Sequence, residues 1–127
     1  MRLSPTILVV GLIWTMPASA QVGPHDLIGH WFGPALGNTG RCGSAYAEFM
    51  FSAKGQFAYV QNTARCGGID GGGRYVADGQ AIRMHFERCN TCAVYGMLPD
   101  ITESYRLPNQ NTLVLCDNGG CYTFHRQ

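Results

Sequence analysis

Cys89-Asn90-Thr91-Cys92 has the spacing at which two thiols can form a redox dithiol or half of a metal site. Redox work needs a helix N-terminus to lower the first thiol's pKa, and no helical period surrounds this segment. No second CxxC follows to complete a zinc site. His85 with Met84 and Met97 offers the imidazole and thioether donors that suit copper(I). Neighbouring strand residues point to opposite faces, however, so Met84 and His85 do not converge on one ion. Arg83, His85 and Glu87 share a strand face, and a histidine beside a carboxylate can do acid–base work. That face looks outward, away from any pocket, and no Ser-His-Asp set or glycine elbow accompanies it, so no catalytic residue is expected.

Two further segments are candidates for binding. Gly67-Gly68-Ile69-Asp70-Gly71-Gly72-Gly73 lacks the Lys and Ser/Thr of a phosphate-binding loop. It is expected as a flexible loop between two strands, bare enough for a partner to approach its backbone. Arg88–Asp100 is the longest irregular connection and carries Val94, Tyr95, Met97 and Leu98. An apolar loop pinned by cysteines can insert into a partner's cleft or close the mouth of a barrel.

The elements that must position these residues begin after an address. Arg2, the apolar run Ile7–Trp14 and the small-residue end Pro17-Ala18-Ser19-Ala20 form a signal-peptide pattern, with cleavage expected between Ala20 and Gln21. Residues 1–20 are thus read as a signal peptide and 21–127 as a single domain. Export means an oxidising compartment, periplasm or exterior, where six cysteines read as three disulfides and Cys89–Cys92 as one that pins its loop. Without Arg2, eight bases meet eight acids, leaving no basic field to attract nucleic acid. The 13% charged and 46% hydrophobic content argues against disorder.

Past residue 21 only Pro24–Ile28 could make a helical turn. Eight short alternating runs recur instead, at about 29–33, 44–51, 56–63, 73–77, 81–87, 101–107, 112–116 and 121–125. Ala53-Lys54-Gly55 suits a three-residue hairpin with the glycine left-handed, which sets Ser52 opposite Gln56 and, in the same register, Cys42 opposite Cys66. Asn118-Gly119 is a two-residue turn that sets Cys116 opposite Cys121. Cys89 and Cys92 remain for each other. These registers turn the cysteines of both hairpins outward. They turn Phe49, Phe51, Phe57 and Tyr59 inward from the first hairpin and Leu113, Leu115, Tyr122 and Phe124 inward from the last. Ile82, Met84 and Phe86 follow by alternation. A turn at Pro108–Thr112 opposes Leu107 to Leu113 and adds Tyr105 and Leu107, while the hairpin at Asp78-Gly79 could hold two or three residues. One apolar face per strand suits a closed barrel, with a crowded interior and at most a small apolar cavity.

Gly29-His30-Trp31 in the first strand resembles the Gly-x-Trp motif of lipocalins. With the hairpin Phe49–Phe57, the strand Gly73-Arg74-Tyr75-Val76 and Asp78-Gly79, the chain resembles small bacterial lipocalin-like domains. The resemblance implies that Trp31 sits at the closed end of the barrel and that Arg126 stacks over it. It differs from full lipocalins in being shorter and in lacking a C-terminal helix. A second likeness, at the level of fold alone, is to small exported barrels that inhibit proteases.

The expectation is an all-β, eight-stranded antiparallel up-and-down barrel, stapled at 42–66, 89–92 and 116–121. It would be a periplasmic or secreted non-enzymatic binding module with no cofactor, no metal and no membrane span after signal cleavage. A small apolar molecule or a protein partner would bind at one barrel mouth, formed by the glycine run and the Cys89–Cys92 loop, with Tyr95, Met97, Leu98, Tyr59 and Met84 as contact residues. The alternatives are an inhibitor of a hydrolase (a protease or a lysozyme) and redox or metal chemistry at Cys89 and Cys92.

Overall fold

The structure, a computed structural model, describes residues 24–36, 40–90 and 99–127. Eight antiparallel strands run β1 Gly29–Pro34, β2 Ala45–Phe51, β3 Gln56–Thr63, β4 Gly67–Ala77, β5 Ala81–Cys89, β6 Asp100–Asn109, β7 Thr112–Asp117 and β8 Gly120–Arg126. Each pairs with the next, and β1 pairs with β8 through Trp31↔Arg126 and Phe32↔His125, so the sheet closes into a barrel. Closure leaves no edge strand to be protected. A 3-10 turn at Pro24–Leu27 precedes β1, and another at Gly40–Cys42 precedes β2.

The hairpin registers follow from turn chemistry. Gly55 takes φ 78°, and Phe51 stands opposite Phe57 as the three-residue turn requires. Continued along the pair, this register brings Cys42 and Cys66 together, and they are bonded. Cys42 itself ends the 3-10 turn rather than lying in β2, and it is largely buried instead of facing outward. Asp117↔Gly120 brackets Asn118-Gly119, and Cys116 and Cys121 are bonded across it. Asp117 Oδ1 accepts the Gly119 amide at 2.7 Å, which fixes the turn. Tyr105↔Leu115 and Arg106↔Val114 keep the expected register, but an irregularity then shifts the ladder to Asn109↔Thr112, so the turn is tighter than Pro108–Thr112. Asp78, Gly79 and Gln80 connect β4 to β5, within the expected two or three residues, and Asp78 Oδ1 fixes the turn by accepting the amides of Gln80 and Ala81.

One expectation is overturned. The glycine run is not a loop: residues 67–73 are the first part of β4, laddered to β3 from Thr63↔Gly67 to Phe57↔Gly73. Its glycines supply space. A Cβ on Gly71 would meet the Phe86 ring at 3.1 Å, and one on Gly73 would overlap the His85 carbonyl. The β4–β5 register slips between Gly72 and Gly73, and the bare backbone admits both this bulge and the Phe86 ring folded over it.

Alternation does the rest. Trp31, Phe49, Tyr59, Ile82, Leu113, Leu115 and Phe124 are almost fully buried, with Met84 beside them at 2%. The rings interlock: Phe49 lies 4.7 Å from Tyr59 and 5.5 Å from Phe124, and Phe57 meets Phe86 edge-on at 5.0 Å.

Candidate functional site

The barrel has two unlike ends. One carries the tips of the β2–β3, β4–β5 and β6–β7 hairpins together with the 3-10 turn at Pro24–Leu27. Leu27 is fully buried there, and Trp31 Nε1 donates to its carbonyl at 2.9 Å. The Arg126 guanidinium lies 4.2 Å above the Trp31 ring. Its Nη1 donates to Ile28 O at 2.8 Å, Nη2 to Asp26 O at 2.9 Å and Nε to Gln110 O at 2.8 Å. A planar five-donor fork suits this task, holding three carbonyls while stacking on indole. Gly29, at φ 138°, completes it: any Cβ there would run into Arg126 Nη1. This end is shut.

The other end carries the β1–β2 and β5–β6 connections and the β3–β4 and β7–β8 turns. Toward it, polar groups replace apolar ones on the inner face. Gln61 follows Phe57 and Tyr59 in the inward phase of β3, and Glu103 precedes Tyr105 in that of β6. Gln61 is 1% exposed and Glu103 2% exposed. Tyr59 Oη donates to Gln61 Oε1 at 2.6 Å and accepts the Leu36 amide at 3.3 Å, so the β1–β2 connection is tied over the ring. Burial pushes the Tyr59 hydroxyl well above its ordinary value, the Leu36 amide opposes this, and the nearby Glu103 carboxyl adds to it.

Glu103 is the anomaly. A buried carboxylate needs donors, yet Glu103 Oε1 has no hydrogen-bond partner. The group facing it is a second acid, Asp117, at the end of β7 where that strand reaches the β7–β8 turn. Burial first, and then Asp117, push the Glu103 carboxyl up to about 8. Two acids with no donor between them hold a proton in common, in which form Glu103 can donate to Asp117. The site thus runs from an exposed carboxyl at the rim to a buried one beneath it.

The residues singled out from sequence fall in three places. Val94, Tyr95, Met97, Leu98 and Cys92 lie outside the described residues. Cys89 is disulfide-bonded and is therefore no free thiol. Tyr59 belongs to the polar cluster, while Met84 is packed in the core. Arg83 and His85 are exposed on the outer face, but that face is not away from any pocket as expected: with Arg74 and Asp100 they line an open surface cleft, where His85 Nδ1 meets Asp100 Oδ1 at 2.6 Å, while Glu87 pairs with Arg74 at 3.3 Å. Gln61 and Glu103 were not among the predicted inward residues. The signal for them was available, because each is in phase with residues already placed inward: Gln61 with Tyr59, and Glu103 with Tyr105 and Leu107.

Among solved structures, the fold is similar to a lipocalin-like protein from Bacteroides uniformis, with a TM-score of 0.57 and 19% identity, over 80% of this chain and 99% of that one. The closed eight-strand topology and this likeness make the chain a lipocalin-like β-barrel. No protein-family model and no curated protein matches it.

Proposed function

We propose that this protein is an exported, non-enzymatic binding module that holds a small ligand in the barrel at the end away from Trp31. The observation that carries this reading is the contrast between the two ends. At one, Leu27 is fully buried, Trp31 Nε1 is hydrogen-bonded, and Arg126 gives three hydrogen bonds to carbonyls while stacking on the indole. At the other, a buried carboxyl has one oxygen, Glu103 Oε1, with no hydrogen-bond partner. Unmet polar demand on the inner face of a barrel is what a binding site presents before its ligand arrives. An eight-strand barrel has just enough room for its own side chains or for one small ligand, and the polar inner face at this end favours the second use there.

Export supports the same reading. Residues 1–20 have the signal-peptide pattern, and disulfides such as Cys42–Cys66 persist in oxidising compartments, so a periplasmic or extracellular location is proposed. Among the described residues no helix is long and apolar enough to cross a membrane. Tyr95, Met97 and Leu98, which lie between β5 and β6 in the sequence, are proposed as further contacts.

Mass spectrometry on protein purified from an exporting host without reductant, first native and then denatured, tests the reading. A mature chain beginning at Gln21 with a co-purifying small molecule is expected. A mature chain with three bridges and no bound molecule would count against a carrier and in favour of a protein partner, such as a hydrolase whose activity the loop blocks.

A further inference from the structure

We propose that the ligand carries a cationic ammonium group, held between Glu103 and Asp117. This rests on the proposed barrel-end site and names the chemistry it selects. Glu103 is 98% removed from solvent, its Oε1 has no partner, and the side chain that the β6–β7 register brings opposite it, Asp117, is another acid. Three kinds of occupant could relieve a buried carboxyl that faces an exposed one. A proton does so weakly, since it leaves one oxygen unmet. An anion or a neutral acceptor makes the conflict worse. An ammonium brings one positive charge and up to three donors to two carboxyls, which satisfies both the charge and the hydrogen-bond count.

The route in has the matching polarity. Asp117 is exposed at the β7–β8 turn, and its Oδ1 is fixed by the Gly119 amide. A cation can meet Asp117 in water and pass to Glu103 without crossing a region free of compensating charge. The titratable groups that face Glu103 are Asp117 from β7 and Tyr59 from β3, with Tyr122 of β8 beside Tyr59; from β5 it is faced by apolar Ile82. No cation stands among them, so the described walls supply no competitor for the ammonium. An apolar tail would lie against Tyr59 and Leu115.

Binding then displaces the proton that the two acids share. The ammonium takes its place, the carboxyls ionise and a proton leaves to buffer, so atoms and charge balance.

Hexylamine, hexanol and hexanoate present one tail with three head groups. Calorimetry with the full disulfide-bonded chain at pH 7 and low salt is expected to show hexylamine bound at least tenfold more tightly than hexanol, with hexanoate weaker still. Amine binding should release close to one proton, read from its dependence on buffer ionisation enthalpy, while hexanol should release none. Glu103→Gln keeps the volume and should reduce hexylamine to the level of hexanol. The proton count on wild type keeps the question answerable if that variant folds poorly. Equal affinity for hexylamine and hexanol, or an amine preference that survives E103Q, overturns the ammonium inference and leaves the barrel-end site standing. No binding by any of the three overturns both.

Discussion

Replacing Glu103 with glutamine should change how the stability of this barrel depends on pH, and the size of the change follows from burial. Glu103 is held at about 8 in the fold, against an ordinary value of 4.5. The folded state therefore keeps a proton that the unfolded chain releases, and stability falls as pH rises across that interval. The contribution is fully present below pH 4.5 and is lost as pH passes through about 8. At 1.36 kcal/mol per pH unit, wild type loses about 3–4 kcal/mol between pH 5 and pH 8 from this group alone. That is a large share of a marginal domain's stability, and it corresponds to a lowering of Tm on the order of 15 °C. Glutamine cannot ionise, and its amide can donate to Asp117. E103Q should therefore show a nearly flat profile, with the gap between variant and wild type widening steadily from pH 5 to pH 8. Urea unfolding followed by tryptophan fluorescence at half-unit steps of pH measures this gap directly. Subtracting the two curves removes the carboxylates and histidines they have in common. Parallel curves, within about 1 kcal/mol from pH 5 to pH 9, would show that Glu103 is solvated in the folded protein and would refute the argument from burial.

Other substitutions probe the scaffold. Arg126→Ala removes a cation–π contact and three hydrogen bonds to carbonyls, and should cost about 2–3 kcal/mol in denaturant unfolding, with R126K recovering part of it. Gly73→Val should cost more than about 3 kcal/mol or abolish soluble expression, because its Cβ would overlap the His85 carbonyl at the bulge, whereas the exposed R74S should stay within about 0.5 kcal/mol. Reduction-resistant double variants rank the bridges. C42S/C66S opens a span of 24 residues and should cost about 3–4 kcal/mol, against about 2 kcal/mol for C116S/C121S with its span of 5; thermal melts that reverse this order would count against loop entropy as their main contribution. His85→Ala should leave stability within about 0.5 kcal/mol across pH 5–8, because its ring and Asp100 form an exposed pair.

The strands were readable where turn chemistry and alternation agree. Gly55 and Asn118-Gly119 each permit only a few hairpin geometries, and each geometry carries its register several residues onward, far enough to pair Cys42 with Cys66 and Cys116 with Cys121. Trp31 and Arg126 stand at opposite ends of the chain, yet they are neighbours once the barrel closes. The glycine run was misread for a physical reason. Local propensity treats consecutive glycines as a flexible loop, but propensity does not see the neighbouring strand. Gly71 and Gly73 are strand residues because Phe86 and a bulge in β5 take up the space that side chains would occupy. The β6–β7 irregularity is different, because it had a local sign: Pro108 lies between Arg106 and Asn109 and has no N–H to give the ladder.

Glu103 was missed for a different reason, and the reason bears on function. Alternation was used to collect apolar residues for the core, so the polar residues lying in the same phase were passed over. Had phase been followed without regard to residue type, Tyr105 and Leu107 would have carried Glu103 inward with them, and Tyr59 would have carried Gln61. A carboxyl in the inward phase of a barrel strand is costly unless something answers it. Among the described residues the carboxyl's hydrogen-bonding neighbour is Asp117, another acid, brought opposite it by the register of β6 and β7. Folding thus spends stability to place two acids together at one end of the barrel, while the other end is closed by Arg126 hydrogen-bonded to three carbonyls over Trp31. That asymmetry separates the site from the scaffold. The apolar strand residues explain why the chain closes, but Glu103 is left over when that explanation is complete, and a binding partner with a positive charge and several donors is what would complete it.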